Sequence, residues 1–162
     1  MPSTRSRDFS WDDPTELARA AEGRSGRGFL HAIAQGELPQ APLMAALDFA
    51  LVEVGPGRAV FEGVVSEYHY NLIGTVHGGY AAAMLDSATG CAVYTTLEPG
   101  EQWTTLSLSV DYTRPLKAGT TARCVANVVR AGRRVALADG ELLDGEGRLC
   151  ARAKSTCMLF RD

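Results

Sequence analysis

The segment from His77 to Thr95 constrains the fold most. Ala81, Ala82, Ala83, Met84, Leu85, Ala88, Cys91, Ala92, Val93 and Tyr94 would cover most of a helix's circumference. A helix that is apolar nearly all round is a buried one. Its small side chains further require that whatever covers it approaches closely. A sheet that curls around the helix meets both conditions, which a flat sheet touching one stripe does not. The flanking sequence supplies strands for such a sheet. Ala46 to Val54 and Arg58 to Glu67 read as a hairpin joined by Gly55-Pro56-Gly57. Beyond Glu98-Pro99-Gly100, strands are predicted over Thr104–Thr113, Thr120–Arg130, Arg133–Leu143 and Leu149–Phe160. In the first of these, Leu106, Leu108, Val110 and Tyr112 alternate with Thr105, Ser107, Ser109, Asp111 and Thr113, which predicts one buried and one polar face. The order ββαββββ is that of an α+β domain whose antiparallel sheet of about six strands wraps one central helix.

Residues 1–42 read as a separate N-terminal extension and 43–162 as the main domain. Asp13-Pro14 offers an N-cap and a proline at the first helical position, starting a short helix that runs to about Glu22. Gly23, Gly26 and Gly28 interrupt it, a second helix is predicted over Phe29–Ala34, and Pro39 and Pro42 mark an extended linker. The extension is expected to be an appendage with no catalytic role.

At 162 residues, 46% hydrophobic and 22% charged, the chain has the composition of one globular domain. A net charge of −3 gives no general attraction to nucleic acid or to an acidic membrane surface. No signal-peptide pattern or bilayer-length apolar run is present, so a cytoplasmic location is expected, with no membrane and no nucleic-acid partner. Cys91, Cys124, Cys150 and Cys157 form no CxxC pair and lie in apolar segments, which predicts buried reduced thiols. With His31, His69 and His77 at no ligand spacing, no metal is expected.

The chemistry concentrates between Asn71 and Asp86. His77-Gly78-Gly79 would open the central helix with bare backbone N–H groups, because the first turn's donors have no partner inside the helix and glycine lets a ligand come close. The helix dipole acts in the same sense, so an oxygen gaining negative charge is favoured there. Asp86 is a carboxylate among Ala, Met and Leu. It must be paired, protonated, or set at a cleft where its reactivity is used. A solvent-facing or purely structural aspartate is the plainer alternative. Gly78 and Asp86 are eight positions apart, roughly 12 Å along a helix axis. One carbonyl therefore cannot meet both groups of a single chain. If a helix-start N–H polarises a carbonyl that a carboxylate attacks, or to which it directs water, the two must come from antiparallel helices across a two-fold axis. The chemistry thus predicts a homodimer with two shared sites.

Asn71, Gly74, His77-Gly78-Gly79 and Asp86 at these spacings, with Tyr112-Thr113-Arg114-Pro115-Leu116 closing a strand, resemble the hotdog-fold acyl-CoA thioesterases, in particular their phenylacetate-pathway (PaaI-type) branch. The resemblance spans about residues 43–160. It implies that Asp86 is the nucleophile or the general base for water and that the Gly78 N–H polarises the thioester carbonyl. It further implies that Asn71 orients water or the carbonyl and that a hydroxyl near Thr105 assists. Thr104 also lies there, but the register counted from Pro115 favours Thr105. His77 and Gly79 would support the loop. Arg114, Lys117, Arg130, Arg133 and Arg134 fall in segments that contact coenzyme A in such relatives, and a phosphorylated tail suits them. His69, Leu72, Tyr80 and Met84 are candidates for an acyl pocket, with core packing the competing explanation for the apolar ones. The function implied is hydrolysis of an aryl-acyl or medium-chain acyl-CoA to free acid and CoA. No cofactor is needed beyond the coenzyme A of the substrate, and pairing of two dimers into a tetramer is left open. A hotdog dehydratase or hydratase, and a non-catalytic acyl-CoA-binding protein, are the alternatives.

Overall fold

The computed structural model describes residues 3–161. Three short helices, α1 (Pro14–Ala21), α2 (Gly26–Ala34) and α3 (Pro42–Leu47), precede the hairpin β1 (Phe49–Gly55) and β2 (Arg58–Val64). A 3-10 turn (Glu67–His69) and a loop lead into the long helix α4 (Gly78–Tyr94). Four strands follow: β3 (Gln102–Tyr112), β4 (Thr121–Ala131), β5 (Val135–Leu143) and β6 (Leu149–Phe160). They form one six-stranded sheet of order β1-β2-β4-β5-β6-β3. Every pairing is antiparallel, and the order leaves β1 and β3 as the edges.

The helix lies against this sheet as its composition requires. Met84, Leu85, Ala88 and Ala92 are completely buried and join Phe61, Cys124, Ala126, Leu142 and Ala153 in one cluster. Close approach is literal at two glycines. A Cβ on Gly140 would stand 3.1 Å from Leu85 Cδ2, and one on Gly90 would stand 2.5 Å from the Trp103 ring. Enclosure is nonetheless incomplete. Gly79 is exposed and Ala82, Ala83, Asp86 and Ser87 are half-buried, at the i, i+3, i+4, i+7, i+8 spacing of a single stripe. The sheet stops short of that face, which runs beside the unpaired edge β3.

Several elements differ from expectation. Residues 42–47 form α3 rather than a linker entering a strand at Ala46. Pro42 sits in the helix's first turn, where a missing N–H costs nothing, and Asp48 (φ 59) turns the chain into β1. β2 ends at Val64 because Ser66 and His69 cap each other and begin the 3-10 turn. Helix α2 starts at Gly26, since Ser25 caps it through Gly28 N–H. Its Phe29, Leu30 and Ile33 are buried in the main cluster, so the segment read as an appendage contributes to the core. The four cysteines are free and buried. Among the described residues no helix is long and apolar enough to cross a membrane.

Candidate active site

The loop before α4 is organised by Asn71. Its Oδ1 accepts from Ile73 N–H (3.0 Å) and Thr75 N–H (3.1 Å), and its Nδ2 donates to Thr75 Oγ1 (2.9 Å). Asn71 N–H also reaches Thr75 O at 2.7 Å, and Gly74 takes the positive φ (75°) that closes the turn. The side chain expected to orient water or the carbonyl is thus engaged in holding its own loop, with one amide hydrogen to spare.

His77 ends the loop as the N-cap of α4. Its backbone (φ −66°, ψ 134°) is extended, and Nδ1 accepts the Gly79 N–H at 2.7 Å. That bond occupies Nδ1, so the ring's free proton sits on Nε2. His77 O accepts Tyr80 N–H, and His77 N–H donates to His69 O at 2.8 Å. Of the first three donors of the helix, this leaves one. Gly78 N–H has no acceptor among the described residues. Tyr112 covers the same residue from β3, its Oη donating to Gly78 O at 3.0 Å. A Cβ on Gly78 would lie 3.1–3.2 Å from the tyrosine ring, so glycine lets the ring close down here.

Two turns along α4 stands Asp86. Thr105 Oγ1 donates to its Oδ1 at 3.1 Å. Among the described residues no Lys, Arg or His pairs with the carboxylate, and Oδ2 has no partner. Thr105 reaches it because of a β-bulge. Pairing with β6 runs from Thr105–Cys157 directly to Ser107–Thr156, so Leu106 is the extra residue. Strict alternation assigns Leu106 to the buried face and Thr105 to the polar one. The bulge reverses this: Leu106 is 54% exposed and Thr105 points in toward the helix. Nearby Cys91 is no rival nucleophile, since burial, reinforced by the charge of Asp86, pushes its thiol up to about 12.

Gly78 sits at the start of α4 beside the end of β3, and Asp86 sits at mid-helix beside Thr105 near the start of β3. Beside Gly78 opens a cavity of about 390 Å³, walled by Val76, Ala81, Leu116, Leu142 and Cys150 with Tyr112 and Arg114 at its rim. Arg114 continues into an adjoining cleft of about 460 Å³ that also presents Lys117, Thr120, Asp144 and Arg148. Arg148 is taken by Asp144 and Glu146, whereas Arg114 and Lys117 have no carboxylate within reach among the described residues. Arg130, Arg133 and Arg134 lie around the β4–β5 turn at the far end of β4, an eleven-residue strand that spans roughly 35 Å. There Arg134 O accepts from Leu159, which pairs with Trp103 close to Thr105. The basic residues thus fall into two groups: Arg114 and Lys117 in the clefts beside Gly78, and the three arginines around the β4–β5 turn, where the Arg134 backbone adjoins the Trp103 end of β3.

The four candidates for the acyl pocket are placed elsewhere. None lines the cavity beside Gly78. Met84 is fully buried against the sheet, and Tyr80 is 4% exposed, packed on Phe49 and stacked on His69 with ring centroids 4.2 Å apart. Leu72 stands wholly in solvent at the loop tip. His69 is a buried structural residue, its Nδ1 accepting from Ser66 N–H at 3.1 Å. Sequence reasoning misses the wall residues Ala81, Leu116, Leu142 and Cys150 because they look like ordinary core. Tyr112 carries a usable signal, an aromatic residue two before the Arg114-Pro115 step, but alternation assigns it to the interior.

Comparison with known proteins agrees with this fold. The family model described as thioesterase superfamily matches residues 73–151. Acyl-coenzyme A thioesterase 13 of Homo sapiens is 32% identical over 107 residues, 65% of this chain and 76% of that one. The chain spans 66–76% of the length of the first curated relatives. Among solved structures, a phenylacetic acid degradation-related protein from Ralstonia eutropha is 34% identical, with a TM-score of 0.72 over 80% of this chain and 98% of that one. A Streptococcus mutans protein, solved bound to acetyl CoA, is 25% identical with a TM-score of 0.65 over 70% and 89%. By sequence and by its wrapped six-stranded sheet, this chain belongs to the thioesterase superfamily and has the hotdog fold.

Proposed function

We propose that the protein hydrolyses acyl-CoA thioesters to free acid and CoA, at sites each assembled from two copies of the chain. The observation that carries this reading is the split of complementary groups along α4: an unpaired N–H at Gly78 and a hydroxyl-supported carboxylate at Asp86. The uncovered small-residue stripe of α4 and the open edge of β3 support a partner on that face. With two helices antiparallel across it, Gly78 of one copy faces Asp86 of the other. Acyl-coenzyme A thioesterase 13 and the acetyl-CoA-bound relative support the substrate class.

The thioester carbonyl oxygen accepts the Gly78 N–H at the positive end of α4, which stabilises the charge that develops on it. Asp86 of the other copy either attacks the carbonyl carbon directly or takes a proton from the water that does. If Asp86 attacks, the C–S bond breaks to leave an anhydride between Asp86 and the acyl group, which water then cleaves to the acid and the free carboxylate. If Asp86 acts as base, water adds to the carbonyl carbon and the C–S bond breaks as that adduct collapses. In either route a proton from water ends on the departing thiolate. Thr105 holds one carboxylate oxygen and leaves the other to react. Arg114 and Lys117 suit the phosphates of coenzyme A, which enters with the substrate, so no separate cofactor is invoked. The apolar walls beside Gly78 suit a medium-chain or aryl acyl group.

Free-thiol release from an acyl-CoA panel tests the reading. Wild type should turn over at least one member, and Asp86→Ala and Asp86→Asn should each lower kcat by about 100-fold or more. Binding without thiol release, or full activity of Asp86→Ala, would overturn it.

A further inference from the structure

The N-terminal arm, residues 3–13, precedes the first helix and lies outside the stretch that matches the thioesterase family. It nevertheless grips the turn from which the active-site loop departs. Arg7 donates from Nη1 to Ala46 O (2.7 Å) and from Nη2 to Ala45 O (2.9 Å), the free carbonyls at the end of α3. The same guanidinium lies 4.2 Å from the Tyr68 ring centroid and 3.7 Å from Asp48 Oδ1. Tyr68 Oη in turn donates to Asp48 Oδ2 at 2.6 Å, and Arg5 pairs with Glu67 at 2.6 Å. Glu67 and Tyr68 are the first two residues of the 3-10 turn, and Tyr68 packs edge-on against His69 (4.4 Å). From His69 the path continues through backbone: His69 O accepts His77 N–H, and His77 Nδ1 accepts Gly79 N–H. Those two bonds fix the Val76–His77 and Gly78–Gly79 peptides, which flank the His77–Gly78 peptide that carries the Gly78 N–H.

We infer that Arg7 is a positioning residue for the reaction: it clamps the 67–69 turn to α3 and thereby holds the Gly78 N–H in its working direction. The inference rests on the thioesterase reading for what that N–H does. His69 anchors the inner side of the turn, whereas its outer side, with Tyr68 44% exposed and Leu72 and Ile73 of the following loop in solvent, is held by Arg7 together with the Tyr68–Asp48 and Arg5–Glu67 contacts. Arginine is required because one planar group donates to two carbonyls while stacking on an aromatic face, which lysine cannot do.

The test compares Arg7→Ala and Arg7→Lys in the full chain. Per folded protein, Arg7→Ala should lower kcat about 10- to 100-fold, with KM for the acyl-CoA changed less than about twofold. Millimolar guanidinium, below denaturing concentration, should restore part of the loss in Arg7→Ala, and Arg7→Lys should stay well below wild type. Independently of substrate, the Gly79 amide should shift and exchange severalfold faster in both variants, with the amides of the α4 core unchanged. A kcat within twofold of wild type in either folded variant, or an unaltered Gly79 amide, overturns the inference. A wild type without thioesterase activity refutes the functional reading instead, and the amide measurement then still decides whether the arm sets the loop.

Discussion

Replacing Gly78 by proline deletes the proposed oxyanion donor while keeping a residue that can open the helix. The site tolerates proline on two counts. Gly78 opens α4, a position where proline is common because its missing N–H has no helical partner. His77 already has the extended backbone (φ −66°, ψ 134°) that a residue before proline adopts. Gly78→Ala is the matched control: it adds a Cβ at the same place, 3.1–3.2 Å from the Tyr112 ring, but keeps the N–H. Both variants push the ring by a few tenths of an ångström and strain the 3.0 Å bond from Tyr112 Oη to Gly78 O. Their difference reads the loss of the N–H together with the ring carbon that proline puts in its place. Loss of one oxyanion donor is worth about 2.7–4 kcal/mol, or 10²–10³ in kcat, whereas no intramolecular bond is lost, so the two variants should unfold within about 1 kcal/mol of each other. Thiol release under saturating substrate, alongside urea denaturation, reads both quantities. If Gly78→Pro turns over within threefold of Gly78→Ala, the N–H plays no part in stabilising the transition state.

Two further predictions concern the fold that carries the site. Gly90→Ala would put a Cβ 2.5 Å from Trp103, so the indole must move. Overpacking outweighs the better helix propensity of alanine, and denaturation should show a net loss of about 1–2 kcal/mol; an unchanged or higher stability would mean that β3 is not seated on the helix as described. His69 is held below the ordinary histidine value of 6.5 by burial first and by the nearby Arg7 charge second. The unfolded chain therefore takes up a proton that the folded chain refuses, and stability should fall as pH drops below about 6.5. His69→Gln should flatten that slope in thermal melts between pH 5 and 7, and an identical slope would refute the assignment.

The sheet and central helix are legible in the sequence because their signals are redundant. An all-round apolar helix, alternating strands and glycine turns each point to the same architecture. Residue-level placement fails where one local event changes phase. A single bulge at Leu106 shifts the alternation of β3 and brings Thr105 inward, and strand periodicity cannot reveal an extra residue before the pairing is known. Residues 42–47 are ambiguous because proline ends extended linkers and begins helices alike. Met84 and Tyr80 lie near the motif in sequence but face the sheet, so proximity along the chain misleads where helix angle decides. Asn71 keeps its place in the site loop, but its bonds to Ile73 and Thr75 follow from loop geometry that residue identity alone does not specify.

The central claim is that each site takes Gly78 from one copy and Asp86 from another, and subunit complementation tests it directly. Asp86→Asn and Gly78→Pro chains, each inactive alone, are unfolded together and refolded at equal concentration. Random pairing makes about half the dimers mixed, and each mixed dimer holds one intact site of two, so thiol release should recover to about a quarter of the wild-type rate. Recovery near that level supports the shared site. Mixed dimers that form, as shown by mass, yet release no more thiol than the separate variants would contradict it.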